Sequence, residues 1–189
     1  MKRIAIFASG SGTNAQRIIE HFTNKDIANV ELLLSNNKDA YVLERAKKLH
    51  VPSCIFTRNE FYQTDKIIRM LEENKIDFIV LAGFLWLLPT KLIQLYPNRI
   101  VNIHPALLPK YGGKGMYGHH VHEAVIANNE KESGITIHFV NENYDEGNTI
   151  FQAKCPVEPS DTPDSLAEKI HILEHEHFPL VIEALVKKI

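Results

Sequence analysis

An α/β fold, doubly wound and Rossmann-like, with a mostly parallel sheet covered by helices on both faces, is the class this sequence predicts. Three observations predict it. Short runs that are apolar on both faces recur through the first half, as in Ile4–Ala8 and Phe78–Ala82. Longer segments of helical periodicity separate them. A glycine-rich turn, Ser9-Gly10-Ser11-Gly12, closes the first run. Strands buried on both faces and alternating with amphipathic helices build parallel sheets covered on each side.

In chain order, Ile4–Ala8 reads as a buried strand and Asn14–Phe22 as a helix. Val30–Ser35 (strand), Ala40–Leu49 (helix), Ser53–Phe56 (short strand) and Glu60–Asn74 (helix) follow. Phe78–Ala82 and Ile100–Ile103 complete the series of strands, with a short helix around Thr90–Leu95 between them. The second half changes character. Lys110–Gly118 is a glycine-rich loop, His120–Asn128 a helix, and Ile135–Val140 and Thr149–Cys155 a strand pair. In Thr162-Pro163-Asp164 a threonine N-cap precedes a proline at the first helical position, where its missing N–H costs nothing. That last helix runs through Leu166, Ile170, Leu173 and Phe178, and Pro179 should kink it. No repeat, low-complexity segment or linker divides residues 1–189, so a single domain is expected.

Composition narrows the function. At 44% hydrophobic and 23% charged, with net charge −2 and no long basic run, the chain carries no electrostatic footprint for nucleic acid. No apolar stretch approaches the roughly 20 residues that span a bilayer. The apolar start breaks at Ser9-Gly10, too early for a signal peptide. Cys54 and Cys155 lie far apart without a C-x-x-C, which fits a reducing compartment. A cytoplasmic protein acting on small molecules, as monomer or homodimer, is expected.

The chemistry centres on Val101-Asn102-Ile103-His104-Pro105-Ala106-Leu107-Leu108-Pro109. Alternation along a strand puts Asn102 and His104 on one face, and the prolines forbid its continuation. An amide donor beside a group that titrates near neutral pH suits acyl or formyl transfer, although such residues can also merely cap a turn. Gly10-Ser11-Gly12-Thr13-Asn14-Ala15 fits G-x-G-x-x-A between a strand and a helix. The acid that a dinucleotide ribose needs is missing at Ser35-Asn36-Asn37, so a single phosphate monoester on Gly12, Thr13 and Asn14 is the reading, ahead of an empty tight turn or NAD(P).

Other motifs have a plain reading beside the sharp one. His171-Ile172-Leu173-Glu174-His175 matches H-x-x-E-H, but zinc needs a third ligand and the remaining residues cannot build that half of a site; no metal is expected. Glu174 lies on the apolar stripe and needs a partner, either a substrate ammonium or hydroxyl, or a structural Lys or Arg. His119, His120 and His122 read as a solvated helix start or adventitious metal ligands. Asp145 sits in a turn before Gly147; it bonds its own backbone, or it orients and charges His104, which spacing alone cannot bring near. Leu85-Trp86-Leu87-Leu88, at a strand end, is core or the rim of an aromatic pocket.

Taken together, Ser9–Asn14, Val80-Leu81-Ala82-Gly83-Phe84, Asn102-Ile103-His104-Pro105, Leu107-Leu108-Pro109, Gly134-Ile135-Thr136-Ile137-His138, Asp145 with Gly147, Gln152-Ala153 and Glu174-His175 cover nearly the whole chain. In these residues the chain resembles the phosphoribosylglycinamide formyltransferases among the folate-dependent formyltransferases. The resemblance implies direct formyl transfer from 10-formyltetrahydrofolate, a co-substrate, to the amine of glycinamide ribonucleotide in purine biosynthesis. It implies Asn102 as oxyanion donor, His104 as general acid/base, and Asp145 raising the His104 pKa. Gly12, Thr13 and Asn14 would hold the phosphate, and Glu174 with His171 the ribose or amine end. The reduced folate would lie against Leu85, Trp86, Leu87, Leu88 and Asn102, and against the backbone of Asn141, Glu142, Asn143, Tyr144 and Asp145. Gly113–Gly118 is longer than the family loop, and Trp86 stands where a basic residue is common. Methionyl-tRNA or nucleotide-sugar formyltransferases and formyltetrahydrofolate hydrolases usually carry a further domain. From other classes, a non-catalytic phosphate-binding module and a metalloprotease remain as rivals.

Overall fold

The computed structural model describes residues 1–189. Seven strands form one sheet in the order β3-β2-β1-β4-β5-β6-β7. They are β1 (Lys2–Phe7), β2 (Ala28–Ser35), β3 (Ser53–Ile55), β4 (Phe78–Leu81), β5 (Ile100–His104), β6 (Glu132–Phe139) and β7 (Thr149–Pro156). The first five are parallel, β6 runs antiparallel to β5, and β7 antiparallel to β6. The helices are α1 (Thr13–Phe22), α2 (Val42–Lys48), α3 (Arg58–Tyr62), α4 (Lys66–Glu73), α5 (Thr90–Leu95), α6 (His119–Ala127) and α7 (Pro163–Val186).

Period-two alternation divides the sheet's side chains between two cores. Ile4, Ile6, Val80, Val101, Ile103, Ile135 and Ile137 pack beneath α1, α6 and α7. Ala5, Phe7, Leu32, Leu34, Ile79 and Leu81 pack on the other face with Phe56, Phe61, Ile67, Leu71 and Leu92 of the α3–α5 side. Strand order reverses between β1 and β4, and in such sheets the crevice at that switch point, beyond the carboxyl ends of the strands, takes the ligand. The loops that leave these two strands are tied together: Ser9 N–H donates to Gly83 O at 3.0 Å, and Leu85 N–H to Ser9 Oγ at 3.1 Å.

One expectation needs correction. The helix expected over Glu60–Asn74 is two, α3 and α4. Thr57 and Glu60 form a reciprocal cap that starts α3, and Thr64 Oγ1 donates to Glu60 O at 2.8 Å where it ends. The break has a packing reason. Ile67 and Leu71 are one helical turn apart, but Phe61 lies six residues before Ile67, off their face of a continuous helix, and all three are buried. Pro179 lies inside α7. The helix is continuous from Pro163 to Val186, and Pro179 is buried on its inward face beside Phe178 and Ile182.

Candidate functional site

β5 carries Val101 and Ile103 into one core, so Asn102 and His104 share the opposite face, as the alternation requires. The antiparallel register sets Asn102 opposite His138 and His104 opposite Thr136. Directly opposed residues face the same way, which makes these four polar side chains one patch. Thr136 fixes the bend after β5. Its hydroxyl donates to Ala106 O at 2.7 Å and accepts from Leu108 N–H at 3.0 Å and from Gln152 Nε2 at 2.9 Å.

Asp145 reaches this patch from the β6–β7 connection, in the left-handed region at φ 57°. Its Oδ2 lies 3.5 Å from His104 Nδ1, its Oδ1 3.6 Å from His138 Nε2, and Gly113 N–H donates to Oδ2 at 3.0 Å. The far side of His104 is held by the glycine-rich loop, with Nε2 donating to Tyr111 O at 2.7 Å. Burial, with only 3% of His104 exposed, pushes its pKa below the ordinary 6.5; Asp145 and the Tyr111 carbonyl pull back part of that, and His138 adds to the fall. Asp145 acts upward, as expected, but desolvation outweighs it. Asp145 is itself raised by burial, yet His138, His104 and Gly113 together bring it below the usual carboxylate range.

His138, quoted above within Gly134–His138 without a role of its own, lies directly opposite Asn102. Its Nδ1 lies 2.9 Å from Phe139 O, and a carbonyl can only accept, so the proton sits on Nδ1. Nε2 then offers a lone pair, which accepts from Asn102 Nδ2 at 3.1 Å. The signal was available in the alternation Ile135-Thr136-Ile137-His138, once set opposite Asn102-Ile103-His104.

The first turn of α1 forms another wall. Gly12 precedes the helix at φ 76°, no side chain caps it, and its first turn holds no acid. Free N–H groups and the positive end of the helix dipole here suit an anion. Gly12 is required by packing as well as by conformation: a Cβ would stand 2.2 Å from Val42 Cγ2 and 2.9 Å from Val42 Cα. Gly12→Ala is expected to cost about 2–4 kcal/mol of stability, from left-handed strain plus overpacking. Denaturant unfolding checks it, and an unchanged midpoint would show that α2 yields freely.

Glu174 is 6% exposed on the inward stripe of α7, and its partner within the protein is an asparagine rather than a lysine or arginine. Asn14 Nδ2 donates to Glu174 Oε2 at 2.9 Å, while Asn14 Oδ1 has no partner. Burial raises the Glu174 pKa, which Asn14 and His171 only partly offset. One N–H of the Asn14 amide is thus spent on Glu174.

All these residues line one cavity of about 670 Å³: Gly12, Thr13, Asn14, Asn102, His104, Asp145, His171 and Glu174, with Leu85, Trp86, Leu87 and Leu88 along the apolar side. Of the segment 141–145, Asn143, Tyr144 and Asp145 reach it; Asn141 instead accepts from Asn143 N–H, and Glu142 is exposed and turned away. Trp86 packs on Phe56, Phe61 and Phe84, and the Arg58 guanidinium lies 5.6 Å from its ring centroid. The histidine cluster separates: His119 and His120 are exposed, whereas His122 is buried and lines the cavity.

His104 and His122 also set a pH window for stability. Both have folded pKa values below the ordinary 6.5, His122 at about 4, so the unfolded chain binds more protons between these limits. The histidine contribution is full above pH 6.5 and falls as pH drops towards 4; below about 4.5 the carboxylates Glu60, Asp161 and Glu183, held near 2, add a further loss as the unfolded chain protonates. The melting temperature should decline through this window, with a shallower decline in His122→Phe; equal slopes in the two proteins would contradict the assignment.

Fold and site define a class: a Rossmann-like protein whose switch-point crevice brings an uncapped helix N-terminus to a buried histidine. Comparison with known proteins gives the particular family. Residues 2–182 match the formyl transferase family model. Phosphoribosylglycinamide formyltransferase of Haemophilus influenzae is 39% identical over 97% of this chain and 86% of its own length. The chloroplastic enzyme of that name from Arabidopsis thaliana is 39% identical over 99% of the chain, which spans 66% of that protein. The solved phosphoribosylglycinamide formyltransferase of Bacillus halodurans superposes with a TM-score of 0.88 at 39% identity, covering 99% of this chain and 96% of its own. The chain belongs to the phosphoribosylglycinamide formyltransferases of the formyl transferase family.

Proposed function

We propose that residues 1–189 act as one domain that transfers the formyl group of 10-formyltetrahydrofolate to the amine of 5-phosphoribosylglycinamide, a step of purine biosynthesis. The observation that carries this is the convergence of Asn102, His104 and Asp145 on the cavity that also holds the uncapped end of α1. The phosphate rests on the N–H groups of Gly12, Thr13 and Asn14, and Glu174, with His171 beside it, takes the ribose hydroxyls. The pterin of the folate lies against Leu85–Leu88 and the chain at 143–145.

The substrate amine attacks the formyl carbon, and the carbonyl oxygen gains negative charge. Asn102 Nδ2 carries two N–H groups. His138 holds one, while the acceptor of the other, Asp145 Oδ1, is 3.5 Å away, too long to compete with an oxyanion. The new C–N bond forms, the bond from carbon to folate N10 breaks, and the proton lost by the amine ends on N10. His104, neutral at pH 7 because its pKa is depressed, accepts that proton and returns it, and Asp145 stabilises the imidazolium in between. The Tyr111 carbonyl accepts the Nε2 proton; when the reacting amine displaces it, the ring proton goes to Nδ1, towards Asp145 Oδ2, and Nε2 is left with the lone pair that takes the amine proton. Neither Cys54 nor Cys155 is in a disulfide, which suits the cytoplasmic setting proposed for this reaction. No helix is long and apolar enough to cross a membrane.

The test is formylation itself. Purified protein, 10-formyltetrahydrofolate and the ribonucleotide should yield formylated ribonucleotide by mass spectrometry, with tetrahydrofolate in equal amount. A folded protein that binds both ligands and makes no product would overturn the proposal.

A further inference from the structure

His122 is a buried histidine on the cavity wall that the reaction above leaves without a task. It sits on α6, is 3% exposed, and faces the same space as His104, Asn14 and Glu174. Its Nδ1 is sealed in the protein with no hydrogen-bond partner, and no protein group bonds its other ring nitrogen. Buried polar atoms are nearly always paired, so a histidine kept here only for packing is a poor choice. A neutral imidazole has one N–H and one lone pair. With Nδ1 sealed, the proton is best placed on Nε2, where something in the cavity can accept it.

Position says what that something is. The ionisable neighbours that depress His122 include His171, at the Glu174 end, and His104, at the reacting end, with His119 on its own helix. Its pKa of about 4 keeps the ring uncharged at pH 7. A ribonucleotide held by its phosphate and ribose at Asn14 and Glu174, with its amine at His104, must pass its glycinamide carbonyl between the two ends. We propose that His122 is a substrate-binding residue whose Nε2–H donates to the glycinamide carbonyl oxygen of the ribonucleotide. This rests on the formyl-transfer reading and adds to it a recognition of the glycyl amide, as distinct from the phosphate and the ribose.

The experiment uses His122→Phe, which fills the place without a donor, and His122→Asn, which keeps an N–H. In steady-state assays of the whole chain, His122→Phe is expected to raise the KM for the ribonucleotide about three- to tenfold, the worth of one neutral hydrogen bond, with the KM for the folate unchanged. His122→Asn should recover most of that loss. The melting temperature of His122→Phe at pH 7 should not fall below wild type, since an orphaned nitrogen has been removed. A ribonucleotide KM unmoved in His122→Phe, a shift in the folate KM instead, or equal impairment in both variants would overturn the contact. Calorimetric binding of the ribonucleotide alone separates the two readings. A wild-type protein that binds it without formylating it overturns the proposed reaction, and the contact is then judged by the Kd of the two variants. A wild-type protein that does not bind it overturns both.

Discussion

His104→Ala is expected to lower turnover by about 10²–10⁴, the usual contribution of a positioned acid/base group, while the Kd of the ribonucleotide stays near wild type. The two halves of that expectation come from different parts of the structure. The proposed proton carrier is on β5, whereas the N–H groups proposed to hold the phosphate belong to α1 and do not depend on the imidazole. Asp145 should stay in place in the variant, because Gly113 N–H still donates to it. The pH profile provides a second measure. As a base, His104 must be neutral, so the acid limb of kcat/KM in the wild type should fall below the ordinary histidine value of 6.5, where its depressed pKa lies. In His104→Ala that limb should disappear from the residual rate. Turnover that survives the substitution, or an acid limb well above neutrality, would remove His104 from the chemistry.

How much of this was legible in the sequence depends on the range over which each feature is determined. The parallel sheet and the shared face of Asn102 and His104 follow from period-two alternation, which is local, and both emerge as expected. The inward turn of Glu174 is equally local, one position on a helical stripe. Its partner Asn14 lies 160 residues away in the chain, where no spacing rule reaches. The same limit hid the meeting of Asp145 with Asn102, 43 residues apart, which the turn and the sheet register decide together. His138 was hidden for another reason. A histidine between Ile137 and Phe139 reads as a satisfied strand residue until the register β5–β6 sets it opposite Asn102. The error over Glu60–Asn74 was of a third kind. No Gly or Pro interrupts Gln63-Thr64-Asp65, but burying Phe61 together with Ile67 and Leu71 requires a change of direction that the packed core imposes. The sign of the His104 shift likewise needed depth of burial, a property of the whole fold, weighed against one nearby charge.

Asn102→Ala is expected to cost about 10²–10³ in kcat, the range for loss of a single oxyanion donor, with little change in either KM, because the interaction grows only as charge develops on the formyl oxygen. Asn102→Asp should do no better. A carboxylate there can neither donate to an oxyanion nor sit beside Asp145 without raising one of the two pKa values. The support beneath the amide gives the sharper result. His138 accepts one Asn102 N–H through a lone pair that its bond to Phe139 O places on Nε2, and this fixes which end of the amide faces the cavity. His138→Phe should therefore lower kcat while leaving both KM values near wild type, by less than Asn102→Ala does, because the donor remains but is free to rotate. In the double variant the loss should be no greater than for Asn102→Ala alone, since His138 acts through Asn102. Losses that multiply would mean that His138 serves Asp145 and His104 instead, and the amide would then be held by something other than this pair.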